Sequence, residues 1–120
     1  MNAITEEELA VHAKWLASDG AEGARMEKTG SNITGASLAG LNAPKAHFIG
    51  TTLSGADLSG AELTEVDCSG ATFTGADLSN ANLTNTNFTG ADLIAANLTG
   101  SKRDGIILKD AILSDTQGLE

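Results

Sequence analysis

The chain has 120 residues, room for one domain, and carries 14 Gly, one Pro, one Trp, no Tyr and three Phe, so its core cannot rest on aromatic bulk. A formal net charge of −9 excludes binding to nucleic acid through its phosphates, which needs Lys and Arg. A single cysteine, Cys68, excludes an internal disulfide and gives no metal-ligand spacing.

The opening residues MNAITEEE show neither a basic nor an apolar signal region, and no apolar run reaches bilayer-spanning length, so the expectation is a cytoplasmic protein with no membrane contact. Thr5 reads as a helix N-cap with Glu8 at the capping-box position, and Ile4 and Leu9 stand where a hydrophobic staple would put them. Leu9, Ala13 and Leu16 mark one face of a helix over about 5–18, with Gly20 as its stop. Residues 19–30 are expected to be a connecting loop, because the pattern that follows fails at Lys28.

From Ile33 onward every fifth residue to Leu113 is a large apolar residue or Cys, except Ala43 and Arg103. Two positions earlier a second column, from Ser31 to Ala111, is small or modest and mostly Ala. A period of five fits neither helix nor strand. It does fit a backbone that turns a corner every five residues, with two inward positions flanking one outward position on each short side. Gly or Asn closes most pentads, where positive φ is tolerated, and Pro44 falls just before that place, where its fixed φ suits a turn.

Stretches such as Ala56-Asp57-Leu58-Ser59-Gly60, Ala76-Asp77-Leu78-Ser79-Asn80 and Ala81-Asn82-Leu83-Thr84-Asn85 resemble the pentapeptide-repeat family, whose motif is A(D/N)LXX. The resemblance implies an all-β solenoid: a right-handed quadrilateral β-helix of about four coils, four pentads to a coil, behind a short N-terminal capping α-helix. The segment from His12 to Arg25 is similar to a leader seen ahead of such arrays in some bacterial and phage-associated proteins. The expected organisation is a cap and loop over 1–30, the β-helix over 31–115 and a tail over 116–120. Four pentads per coil would stack Phe48, Cys68, Phe88 and Leu108 in one internal column, and Leu38, Leu58, Leu78 and Leu98 in another.

Near the end the pattern degrades. Arg103 falls on an inward position, where an unpaired charge is costly, so a bulge over 101–105 is expected to turn it outward. Ile107 and Ile112 land on outward positions near Ile94, and Leu119 follows. These four are candidates for end-to-end self-association. The alternative is that residues 114–120 fold back over the group.

Between residues 46 and 101 there are acids but no Lys or Arg. Asp57, Asp77, Glu62, Asp67 and Asp92 are the candidate acidic partner face, against the plainer reading that outward carboxylates keep the rod soluble and its edges unpaired. Cys68 reads as a buried thiol, and His12 and His47 lie on different elements without a nucleophile beside them. The sequons at Asn32, Asn82, Asn87 and Asn97 read as by-products of the repeat. No catalytic, cofactor or metal site is expected. The function expected is a non-catalytic structural or protein-interaction module with an unidentified protein partner. The alternative, by analogy with acidic rods of the same family, is a mimic of duplex DNA that binds DNA gyrase.

Overall fold

The computed structural model describes residues 3–119. Helix α1 spans Glu6–Ala17. Its capping box forms as the sequence predicts: the Glu8 N–H donates to Thr5 Oγ1 and the Thr5 N–H donates to Glu8 Oε1, each at 3.0 Å. Glu6, Glu7 and Glu8 in the first turn and Lys14 in the last oppose the helix dipole.

The rest of the chain coils. Parallel bridges join the outward residue of each pentad to the one twenty further on, from Glu27↔His47 to Asn97↔Gln117. Twenty residues per turn and one bridge every five residues make four sides per coil, and more than four coils. Each side is so short that it contributes a single bridging residue instead of an extended strand. Backbone bonds between coils repeat: the outward residue donates and accepts toward the preceding coil, as in Asp57 N–H to Ala36 O and Leu38 N–H to Asp57 O, and each corner N–H donates to the next coil, as in Gly40 N–H to Ser59 O.

The corners explain the composition. Each is a β-turn closed by a bond such as Ala61 N–H to Leu58 O at 3.0 Å, and its second central residue has φ between 56° and 73° from Gly30 to Asp115. That is the type II arrangement, which suits Gly and Asn there and Pro at the place Pro44 takes. Lys45, Glu65, Ala95, Asp110 and Asp115 hold the same conformation with a Cβ. Most outward Asp and Asn residues brace the following corner. Asp57, Asp67 and Asp77 each accept from the backbone N–H and the hydroxyl of the serine two residues on.

Inside, the two inward columns of every side close on one another. Leu53, Leu58, Leu63, Phe73, Leu78, Leu83 and Phe88 are fully buried, as are the alanines between them. Phe73 and Phe88 meet edge to face at 5.4 Å. Each buried Leu or Phe stabilises by about 1.5–3 kcal/mol. Thr51 and Thr86 replace alanine in the small column without an orphaned hydroxyl, because each donates to a carbonyl of the coil below, Lys28 O and Leu63 O, at 2.7 Å.

Three expectations are corrected. Residues 26–30 are not loop but the first pentad: Met26 is buried and Glu27 bridges to His47. Lys28 is tolerated at an inward place because it lies at the rod's end, where Glu8 of α1 pairs with it at 2.7 Å. No bulge forms at 101–105. Lys102 keeps its bond to Ala81 O and Leu83 keeps its bond to Lys102 O, so Arg103 stays in register and is half-buried on the last, open coil. Residues 116–119 are not a tail beyond the β-helix but continue its coil. Gln117 bridges to Asn97, and Gly118 passes so close over the coil beneath that a Cβ there would meet the Thr99 nitrogen at 2.4 Å. Only Glu120 of that tail lies outside the described residues, as do Met1 and Asn2 at the other end.

Candidate functional site: faces and ends of the rod

The outward ladder residues decide what each face can do. On one side Glu27, His47, Asp67, Asn87 and Ile107 stand in a row, on the next Asn32, Thr52, Thr72, Asp92 and Ile112. The third carries Ser37, Asp57, Asp77, Asn97 and Gln117, and the fourth Asn42, Glu62, Asn82 and Lys102. The five candidate acids are therefore distributed over all four sides, and only Asp57 and Asp77 are bridged neighbours. Their carboxylates are also partly engaged. Asp92 accepts from the Ile94 N–H, while Glu62 accepts from Thr64 and from Asn82 Nδ2. The Ser59 hydroxyl and N–H hold the Asp57 carboxyl below its ordinary value.

The apolar candidates sit differently. Ile107 and Ile112 are the two apolar residues in the whole outward ladder, and they are exposed at 44% and 48%. They lie on adjoining sides of the last full coil, and Leu113 beside them is 38% exposed. Ile94 is half-buried at a corner, and Leu119 packs partly onto the core. The N–H groups of Arg103, Leu108 and Leu113 and the C=O groups of Ser101, Ile106 and Ala111 have no backbone partner among the described residues.

Cys68 is fully buried, and burial, helped by the Asp67 charge, pushes its thiol far up, away from the reactive thiolate. Among the described residues no three His, Cys, Asp or Glu side chains converge as a metal site, and no helix is long and apolar enough to cross a membrane.

The two histidines have roles that sequence reasoning missed. His12 is the buried residue of α1, turned toward the rod. The Met26 N–H donates to its Nδ1 at 2.9 Å, so Nε2 carries the hydrogen and donates to Pro44 O at 2.7 Å. One imidazole thus satisfies two backbone groups at the rod's N-terminal end. His47 accepts from Arg25 Nη1 at its Nε2 and donates from Nδ1 to Glu27, both at 2.6 Å. Arg25 lies 4.4 Å from the Trp15 ring, which stacks on His12. The available signal was Gly30: it closes a pentad, Met26 to Gly30, whose register puts Glu27 under His47.

Comparison with known proteins places this geometry. A pentapeptide repeat protein from the thylakoid lumen of Arabidopsis thaliana superposes with a TM-score of 0.69 at 26% identity, covering 73% of this chain and 61% of that one. HetL, a pentapeptide repeat protein involved in heterocyst differentiation regulation in the cyanobacterium Nostoc sp. strain PCC 7120, is 27% identical over 75% of this chain and 48% of its own, with a TM-score of 0.36. QnrB1, a plasmid-mediated fluoroquinolone resistance protein, is 17% identical over 76% of this chain and 72% of that one, with a TM-score of 0.38. The chain therefore spans about three-fifths and one-half of the first two relatives. Comparison with curated protein sequences finds no match. Eight copies of the pentapeptide repeat pattern match across residues 31–67, 45–80, 61–102 and 76–115, and the chain belongs to the pentapeptide repeat family.

Proposed function

We propose that this right-handed, four-sided rod is a non-catalytic protein-interaction module that pairs with a second copy of itself through the edge built by residues 101–115. The observation that carries the reading is the replacement of polar ladder residues by Ile107 and Ile112 on adjoining sides of one coil, both about half exposed. Outward positions elsewhere are Asp, Asn, Glu, Ser, Thr, Gln, His or Lys. The occupant is argued from the backbone. Each open side offers one acceptor and two donors, as at Ile106 O and the N–H groups of Leu108 and Asp110. An identical edge running antiparallel about a two-fold axis pairs the acceptor with the first of these donors, the isologous arrangement of closed dimers. The filled interior and the inert Cys68 support the absence of chemistry.

Sedimentation velocity tests this. The wild type is expected to dimerise in the micromolar range, and an Ile107→Lys/Ile112→Lys variant with unchanged circular dichroism to stay monomeric. A wild-type monomer at every concentration sinks the reading. The gyrase alternative draws less support, because the five candidate carboxylates, spread over four sides and engaged with their own corners, make no continuous stripe, against one charge per about 1.7 Å of duplex. Inhibition of supercoiling by a bacterial gyrase would move the partner surface from the edge to the acidic faces.

A further inference from the structure

The geometry points to a carboxylate-binding cleft where the C-terminal end of α1 meets the first coil. The cleft has a volume of about 180 Å³ and is lined by Trp15, Leu16, Asp19, Gly20, Arg25 and Lys45. Its lining carries two cations and one anion, a local excess of +1 in a chain whose net charge is −9. Cations are scarce in this protein, seven in all. Lys28 is neutralised by Glu8, but neither Arg25 nor Lys45 has a carboxylate within ion-pair distance among the described residues.

The Arg25 guanidinium is already positioned. Its face lies against Trp15 and its Nη1 is held by His47, which Glu27 orients from the other side. Among the described residues that leaves the buried Nε and Nη2 without a protein partner, Nη2 being a donor on a fixed planar fork. Trp15 Nε1 likewise has no acceptor among the described residues. Gly20 leaves its edge uncovered, since a Cβ there would come to 3.4 Å from that nitrogen. Lys45 holds a corner with φ of 64°, where its Cβ is disfavoured and the preceding and following corners of the chain, Gly40 and Gly50, use Gly. An ammonium, an indole N–H and half a guanidinium fork around a single excess positive charge match a monoanionic planar oxyanion. The volume admits the carboxylate of one small acid or one acidic side chain, and nothing as large as a nucleotide. The inference stands apart from the dimer, which uses the other end of the rod.

Trp15 is the sole tryptophan, so its fluorescence and its indole N–H resonance report on the cleft alone. The full chain is titrated with sodium acetate, with the blocked tripeptide Gly-Glu-Gly, and with sodium chloride at matched ionic strength. A saturable change with acetate or the tripeptide, and none with chloride, is expected. Response to acetate as well as the tripeptide identifies a free carboxylate as sufficient, and response to the tripeptide alone identifies an acidic side chain; either supports the cleft. Lys45→Gly is the decisive variant, because glycine suits that φ and the fold is retained, yet half the attraction is gone: binding is expected to weaken by about tenfold. Arg25→Gln is expected to abolish saturation. An unsaturable response, an equal response to chloride, or a Lys45→Gly titration identical to wild type overturns the inference.

Discussion

The two ends of the rod meet the same physical problem with different means. A solenoid leaves unpaired backbone groups and half-covered side chains wherever it stops. At the N-terminal end α1 lies over the mouth, and single side chains answer single deficits: His12 takes the Met26 N–H and the Pro44 C=O, and Glu8 neutralises Lys28. At the other end, among the described residues, only Thr116, Gln117, Gly118 and Leu119 return over one side, and three sides keep their edges open beside exposed isoleucines. The difference teaches where this fold spends polar specificity. Between the ends the repeat satisfies itself, so residues outside the motif concentrate where the repeat fails.

The sharpest way to break that comparison is to put one charge at equivalent places in the middle and at the open end. Leu83 is fully buried, and Leu113 is a third exposed on the last coil. Leu83→Asp buries an unpaired carboxylate, a cost comparable with the whole stability of a small domain at about 5–15 kcal/mol. Leu83→Asp is expected to lose cooperative thermal unfolding altogether, whereas Leu113→Asp should cost under about 1 kcal/mol in urea titration of the monomer. Similar losses would mean that the last coil is as well covered as the centre.

At the capped end His12→Ala removes a filled volume and orphans two backbone groups, so about 3 kcal/mol is expected. Hydrogen exchange localises the effect. The amides of Met26 and His47 should lose protection while those of Asn97 and Gln117 keep theirs. Uniform loss along the rod would show that the coils unfold as one unit and that the cap is not a separate device.

The middle of the molecule was legible because its signal is repetitive. Leu58, Leu78 and Leu98 identify one another, and each Gly or Asn corner confirms the period. Even Ala43, an exception to the large column, is silent in energy terms because it is buried and apolar. The ends were legible only where a local rule applies, as at the Thr5–Glu8 capping box. Lys28 and Arg103 looked like breaks in register because an inward charge was judged as if it lay deep in the core. Both lie on terminal coils, where one flank of the inward position opens to water or to α1. His12 carried no readable sign, since its partners are backbone groups fourteen and thirty-two residues away. The Trp15–Arg25–His47 cluster was hidden because its side chains come from α1, the segment after it and the first full coil, and only the pentad closed by Gly30 ties them together.

The smallest expected effect is electrostatic and sharpens the contrast between ends by pH. Partial burial alone would raise the Glu8 carboxyl, but the Lys28 ammonium and the Thr5 N–H outweigh it and hold it below the ordinary glutamate value. A group depressed in the folded state adds stability that is complete above its unfolded value and is lost as pH falls through the folded one. The pair is partly exposed, so the loss is modest and shrinks with salt. Comparing the pH dependence of Tm between wild type and Lys28→Met isolates it. The wild type should lose more than the variant as pH falls through the acid limb below the glutamate range, with the gap closing at high ionic strength. Parallel curves would mean that the 2.7 Å contact contributes geometry and no free energy. The N-terminal end would then rest on His12 and apolar cover alone.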